Sequence, residues 1–135
     1  IETWLTAPAG PTHGAYADGP QRATGGGAFS CIALVPEPGH TTGHSGWLTA
    51  SGGATLLIWG DIVHMPGIQF ARPDAGMGFD IDAAQAIATR QRIMDMATAD
   101  RLMVAGMHLD FPCFGHVAKA AEGYAFVPDV WTPGL

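Results

Sequence analysis

The stretch PGHTTGHSG at residues 38–46 follows a short apolar run that is typical of a β-strand. Two comparable stretches come later, GDIVH at 60–64 and GMHL at 106–109, and each also follows a short apolar run. Neighbouring strands of one sheet bring such breaks to a common edge, where side chains from separate strands converge. The pattern predicts a sheet with polar side chains clustered at one edge.

The side chains that this edge would bring together are of metal-ligand types: His40, Asp61 and His108. Neutral imidazole and carboxylate are ligands that zinc, iron and manganese accept. A metal ion with an open coordination position ionises a bound water near neutral pH, which provides a nucleophile for hydrolysis. The three stretches therefore predict metal-dependent hydrolytic chemistry.

The rest of the chain predicts an α/β layer. Strands are predicted at 28–35, 47–50, 55–59, 101–105 and 124–127, and a helical turn near 68–71. Asp82, with Gln85 three residues later, is typical of a capping box and predicts a helix that runs to about Thr98. The residues predicted to face the sheet recur near a 3.6-residue period: Ala83, Ile87, Met94 and Ala97. Strands joined by a crossover helix are typical of an α/β fold.

Residues 1–27 differ from the rest, because proline and glycine recur there without sustained periodicity. They predict a flexible arm, or an arm that docks on an exposed face through its apolar side chains. Residues 28–135 form the predicted folded domain.

In order and context, these motifs resemble the C-terminal half of metallo-β-lactamase-fold hydrolases, a superfamily that includes lactonases and organophosphate hydrolases. The resemblance covers about 34–131 and is strongest to the lactonase-like and methyl-parathion-hydrolase-like branch. Its motifs are GWL at 46–48, GDIVH at 60–64 and FPCFGHV at 111–117. The resemblance implies half of an αββα sandwich, with a mixed β-sheet and covering helices.

The resemblance also implies a role for each predicted ligand. A histidine at the position of His40 binds a first metal ion, and one at the position of His108 binds a second. A carboxylate at the position of Asp61 bridges both ions and is the catalytic residue of the implied site. The implied substrate is a small ester, lactone or phosphotriester.

Other residues are expected near this site. His44, His64 and His116 would hold the ligands in place by hydrogen bonds or face the pocket, and the alternative for each is a purely structural role. Phe111 and Phe114 would wall an apolar pocket for a small substrate.

One departure from the resemblance matters for function: the His-x-His-x-Asp-His run that supplies most of the ligands in these hydrolases is absent. The six histidines include no pair separated by a single residue. We therefore expect this chain alone to bind zinc, manganese or iron weakly or not at all. Two hypotheses remain open, an incomplete half of a hydrolase and a non-catalytic or assembly-dependent module with an empty partial metal site.

Composition bears on the partners of the chain. Charged residues make up only 13% of it, about half of the ~25% usual in soluble domains. A half-sandwich would expose an apolar face, which predicts a homodimer or a missing N-terminal half that covers it. The alternative is a compact domain that is simply rich in alanine and glycine.

Charge and hydropathy exclude two further classes of partner. The formal net charge of −6, without a basic stripe, would repel a nucleic-acid backbone. The apolar runs are far shorter than the ~20 residues that span a bilayer, so we expect no membrane association and a cytoplasmic location. An initial isoleucine leaves open that a leader or a domain has been removed.

Overall fold

The computed structural model describes residues 21–22, 32–51 and 53–132. In these ranges the elements are β1 (Gln21–Arg22), β2 (Ile32–Pro36), β3 (Ser45–Ser51), β4 (Ala54–Ile58), α1 (Pro66–Gln69), α2 (Ala83–Ala99), β5 (Met103–Ala105), β6 (Phe114–Lys119) and β7 (Tyr124–Pro128). The strands form one sheet in sequential order. Neighbours are antiparallel except β4 and β5, which are parallel and joined by the crossover through α2. The predicted α/β class with a mixed sheet is confirmed.

Strand direction places the predicted ligands at one edge of the sheet. Because β2 and β4 are both antiparallel to β3, they run in the same direction, and β5 is parallel to β4. The C-terminal ends of β2, β4 and β5 therefore lie on the same side. The loops that follow these ends carry His40, Asp61 and His108.

Helix α2 begins where its capping signal predicts. The Asp82 side chain accepts a hydrogen bond from the Gln85 backbone N–H at 2.9 Å, which satisfies one of the free donors of the first turn. At the other end, Arg101 adopts a φ of 52° and the Leu102 N–H bonds to the Ala97 carbonyl. This turn ends the helix and delays β5, so the strand begins at Met103 rather than at Arg101.

The face that α2 buries differs from the predicted one. Ile93, Met94 and Ala97 are buried against the sheet, but Ala83 is exposed and Ile87 is only half-buried. Thr89 and Arg90 are buried instead. Their burial is possible because both side chains donate to loop carbonyls, Thr89 to Pro38 and Arg90 to Ile62, Pro73 and Ala75. Polar anchoring of loops shifts the face away from the apolar pattern.

The core lies between α2 and the central strands. Leu57 and Val104, from the parallel pair, are fully buried with Ile93 and Met94 of the helix, and Trp59 closes the core beside the ligand edge. Burial of each such side chain contributes about 1.5 to 3 kcal/mol. The loops at this edge therefore start from a rigid base.

One strand near the C-terminal end was not predicted, and most of the predicted N-terminal segment lies outside the described residues. Strand β6 is absent from the prediction, in which 111–116 form a segment that lines the site. The first part of the strand predicted at 28–35 lies outside the described residues, as does the arm 1–27 apart from Gln21 and Arg22, which pair with β2. Within the described ranges, no helix combines the length and the apolar character needed to cross a membrane.

Candidate metal centre

Asp61 lies at the middle of the ligand edge, and each of its carboxylate oxygens faces a different histidine. Oδ2 is 3.6 Å from His40 Nε2, and Oδ1 is 3.2 Å from His108 Nε2. Two ligand atoms bound to one metal ion at about 2.0–2.2 Å lie about 3 to 3.6 Å apart. Each of the two pairs therefore has the spacing of ligands that share an ion. The same spacing also suits a direct ion pair when the imidazole is protonated.

His64 lies closer to this cluster than the sequence indicated. Its ring centroid is 4.6 Å from that of His40 and 4.8 Å from that of His108. In the described part of the chain, one group of potential ligand atoms lies within 4.8 Å of one another, and it consists of His40, Asp61 and His64. Burial, together with the charge of His40, lowers the pKa of His64. A neutral imidazole is a metal ligand, so His64 is a ligand candidate as well as a pocket residue.

His44 connects the two loops that carry His40 and Asp61. Its Nδ1 lies 2.9 Å from the Glu37 carbonyl oxygen, and its Nε2 lies 3.1 Å from the Asp61 backbone nitrogen. A carbonyl only accepts and a backbone N–H only donates, so Nδ1 carries the proton and the ring is neutral. Burial lowers the pKa of His44, in agreement with a neutral ring. This residue lies where it could hold the ligand loops together.

Gly60 permits this contact. Its φ is 54°, and a Cβ at this position would lie 2.7 Å from His44 Nε2. An L side chain is strained in that backbone conformation. Glycine before Asp61 is therefore required both by the turn and by the closeness of the imidazole.

Asp80 is a functional candidate that sequence reasoning missed. Its Oδ1 is 2.9 Å from His40 Nδ1, and its side chain is completely buried. Its Oδ2 accepts a hydrogen bond from the Met77 N–H at 3.1 Å. Asp80 belongs to no predicted element and lies 40 positions from His40, so no sequence pattern connects the two.

Behind the ligands lies a cavity of about 10 Å³, the space of roughly one water molecule, lined in part by Glu37, His44, Asp61 and Asp80. Both carboxylate oxygens of Glu37 are buried, and neither has a hydrogen-bond partner among the described residues. Burial raises the pKa of Glu37 well above its usual value, an effect that the charge of Arg92 partly opposes. Glu37 therefore favours the neutral acid, and sequence reasoning also missed it.

The remaining predicted pocket residues lie apart from this cluster in their described contacts. His116 is exposed on β6, where its Nδ1 donates to the Leu102 carbonyl at 3.1 Å. Phe111 is 74% exposed and contacts Trp131 edge to face. Phe114 is the partner of Ala105 in the ladder between β5 and β6. An apolar wall beside the histidines is instead provided by Phe79, whose ring centroid is 5.0 Å from that of His64.

Comparison with solved structures identifies the class of fold. A hydrolase of the β-lactamase superfamily, AbOPH, superposes with a TM-score of 0.74 and 29% identity, over 80% of this chain and 38% of that chain. AidC, a dizinc quorum-quenching lactonase, gives a TM-score of 0.74 and 26% identity, over 79% and 36%. An N-acyl homoserine lactone hydrolase shares the fold at a TM-score of 0.50 and 15% identity. No protein-family model and no curated protein sequence matches the chain.

The described residues thus have the metallo-β-lactamase fold, as the resemblance implied. The matched neighbours AbOPH and AidC are described as a hydrolase and a lactonase, respectively. The chain spans 38% of the length of the first neighbour and 36% of the second.

Proposed function

We propose that this chain forms part of a metal-dependent hydrolase site that acts on a small ester, lactone or phosphotriester. The metal ligands it contributes are His40, Asp61 and His108. The observation that carries the proposal is the geometry of Asp61, whose two oxygens face two separate imidazoles at 3.6 and 3.2 Å. A carboxylate placed in this way suits a bridge between two ions, and AidC is described as a dizinc enzyme.

The donor set fits zinc, manganese or iron, because imidazole nitrogen and carboxylate oxygen are ligands of all three. A bound ion would polarise the carbonyl or phosphoryl oxygen of a substrate and lower the pKa of a coordinated water. Asp61 is 35% exposed at its side chain and His108 is 44% exposed. A substrate can therefore approach the site from the solvent side.

The chain's own residues would then orient and enclose the substrate. His44 holds the turn of Asp61 through the backbone N–H, so the carboxylate direction is fixed relative to His40. His64 lies between the two outer histidines, where a neutral ring is able to donate to or accept from a substrate oxygen. Phe79, 58% exposed beside His64, would contact the apolar part of the substrate.

We further propose that the remaining metal ligands come from other polypeptide, either a second copy of the chain or an N-terminal half of the domain. The absence of a His-x-His-x-Asp-His run supports this, as does the span of 36–38% of the matched chains. Two large apolar side chains are exposed beside the ligand loops: Met107, which precedes His108, and Ile81, whose N–H bonds to the His40 carbonyl. Additional polypeptide packed at the ligand edge of the sheet would cover these side chains.

A second candidate function is an assembly-dependent module that does not catalyse a reaction. The missing ligand run favours it for the isolated chain, because each ion would have one histidine and a shared carboxylate. The two candidates predict different results when the chain is assayed within its natural polypeptide.

The test is hydrolysis of an aryl ester, an N-acyl lactone and a phosphotriester by the natural protein that carries this chain, supplied with zinc. We expect turnover of at least one class. Asp61→Asn should reduce it by more than about a hundredfold, beyond the loss typical of residues that only support ligands. His116→Gln, a histidine change on exposed β6, is the matched control and should leave turnover unchanged. Absence of turnover in all three classes, or an active Asp61→Asn variant, would favour the non-catalytic module.

A further inference from the structure

We propose that Asp80 is the positioning residue of His40: it holds the imidazole with its proton on Nδ1, so that the Nε2 lone pair points toward Asp61. The importance of this for catalysis rests on the proposed function. The orientation itself is a property of the metal-free chain.

The partner of His40 Nδ1 indicates the direction of the hydrogen bond. Asp80 Oδ1 lies 2.9 Å from His40 Nδ1, and a carboxylate oxygen accepts. Nδ1 is therefore the donor, and in a neutral ring Nε2 has no proton. It is Nε2 that lies 3.6 Å from Asp61 Oδ2. A metal ion needs this unprotonated nitrogen, and a hydrogen bond to the opposite nitrogen is the usual way in which proteins fix it.

The Asp80 carboxylate is itself held rigidly. It is fully buried, and its second oxygen accepts from the Met77 N–H at 3.1 Å. The next two backbone N–H groups bond to the His40 loop, from Ile81 to the His40 carbonyl at 3.1 Å and from Asp82 to the Gly39 carbonyl at 2.9 Å. The loop of His40 is thus bound to the segment that leads into α2. A buried carboxylate that accepts from Met77, on a segment whose next two residues bond to the His40 loop, has little freedom to move away from the imidazole.

The α2 terminus fixes the distance between the two loops. Gly39 has a φ of 122°, and a Cβ there would lie 2.2 Å from the Ala86 nitrogen of α2. Since the first turn of the helix contacts the loop backbone directly, neither segment can shift without disturbing the other. This close packing keeps Asp80 within hydrogen-bonding distance of His40.

A purely structural role would require less. To close its own turn, Asp80 needs only the bond from the Met77 N–H to Oδ2. The contact between Oδ1 and His40 adds nothing to that turn, but it determines which ring nitrogen carries the proton. The tautomer of His40 therefore distinguishes a positioning residue from a turn residue.

The test is long-range ¹H–¹⁵N correlation NMR of the histidine rings in the full 135-residue chain, labelled with ¹⁵N and freed of metal by a chelator. The pH is raised until the ring shifts stop changing, so that every imidazole is neutral. We expect His40, assigned from the loss of its signals in His40→Gln, to carry its proton on Nδ1. A wild-type ring protonated on Nε2 would overturn the proposal, and this result needs no variant that might fail to fold.

Asp80→Ala then tests the cause. We expect its His40 signals to move toward the Nε2-protonated form, whereas Asp74→Ala, an exposed aspartate paired with Arg72, should leave them unchanged. An unchanged His40 tautomer in folded Asp80→Ala would contradict the proposal. Because no metal is present, the outcome is independent of the proposed hydrolase: absence of turnover in the hydrolysis assay would count against that function and leave the Asp80 assignment intact.

Discussion

Replacing Gly60 with alanine should destabilise the protein through two separable effects. At a φ of 54° the side chain requires a left-handed backbone conformation, which costs a non-glycine residue about 1–2 kcal/mol. The new Cβ would also lie 2.7 Å from His44 Nε2 and displace the imidazole from the Asp61 N–H. A half-buried hydrogen bond broken in this way costs about 1–3 kcal/mol more, because the donor is left unpaired.

Gly43→Ala is the matched control for the backbone effect. Gly43 has a φ of 76°, but nothing lies within 4 Å of the position that a Cβ would take there. Gly43→Ala should therefore lose only the conformational part, about 1–2 kcal/mol. Urea unfolding of both variants at neutral pH gives the two free energies of unfolding, and we expect Gly60→Ala to lose at least about 1 kcal/mol more.

A double-mutant cycle assigns the difference to His44. In a His44→Ala background the contact no longer exists, so the additional loss on Gly60→Ala should disappear. The reasoning would be refuted if Gly60→Ala and Gly43→Ala agreed within about 0.5 kcal/mol, the usual error of additivity. It would also be refuted if the additional loss persisted without His44.

Three further predictions concern burial and association. The pKa of Glu37 is raised in the folded protein, so its contribution to stability is present below its unfolded pKa and is lost as pH rises toward the folded pKa. Above about pH 4.5, Glu37→Gln should therefore unfold at a higher urea concentration than wild type, and the difference should grow with pH. An equal pH dependence of stability in both proteins would contradict this. Arg90→Ala leaves the carbonyls of Ile62 and Pro73 without their side-chain donor and removes one of the two side-chain donors to the Ala75 carbonyl, the other being Gln69. It should lower the free energy of unfolding by about 2–4 kcal/mol, whereas exposed Arg72→Ala should leave the urea midpoint nearly unchanged. Light scattering at micromolar concentration should give a mass near twice 14.0 kDa, because apolar side chains are exposed at the ligand edge of the sheet. A monomer mass would exclude the homodimer.

The parts of the fold that the sequence predicted are those with a local cause. Asp82 caps α2 because its side chain needs only the N–H three residues on, and β3 and β4 follow from a compact pair of apolar runs joined by a short turn. The alternation of strands and ligand-bearing loops could also be predicted from the sequence, since His40, Asp61 and His108 each follow an apolar run that forms a strand. Their convergence required only that the three strands point the same way.

What the sequence could not predict depends on distant contacts. Asp80 and Glu37 become part of the site only because the 77–82 segment and the β2 exit fold over the ligands, and nothing in their neighbours marks them. Strand β6 was missed because Gly115 and Ala118 weaken its β-propensity, and its partners in β5 and β7 compensate. Arg90 was missed as a core residue because its burial depends on three carbonyls from other loops.

The central claim is that His40, Asp61 and His108 hold metal together, and cobalt(II) titration of the 135-residue chain, followed by visible absorption, tests it most directly. Cobalt substitutes for zinc in imidazole and carboxylate sites, and even weak binding is measured by titrating to high ion concentration. We predict one saturable absorption change that is lost in Asp61→Asn, weakened in both His40→Gln and His108→Gln, and retained in His116→Gln. An absorption change that survives Asp61→Asn, or one that disappears in His116→Gln, would contradict the proposed metal centre.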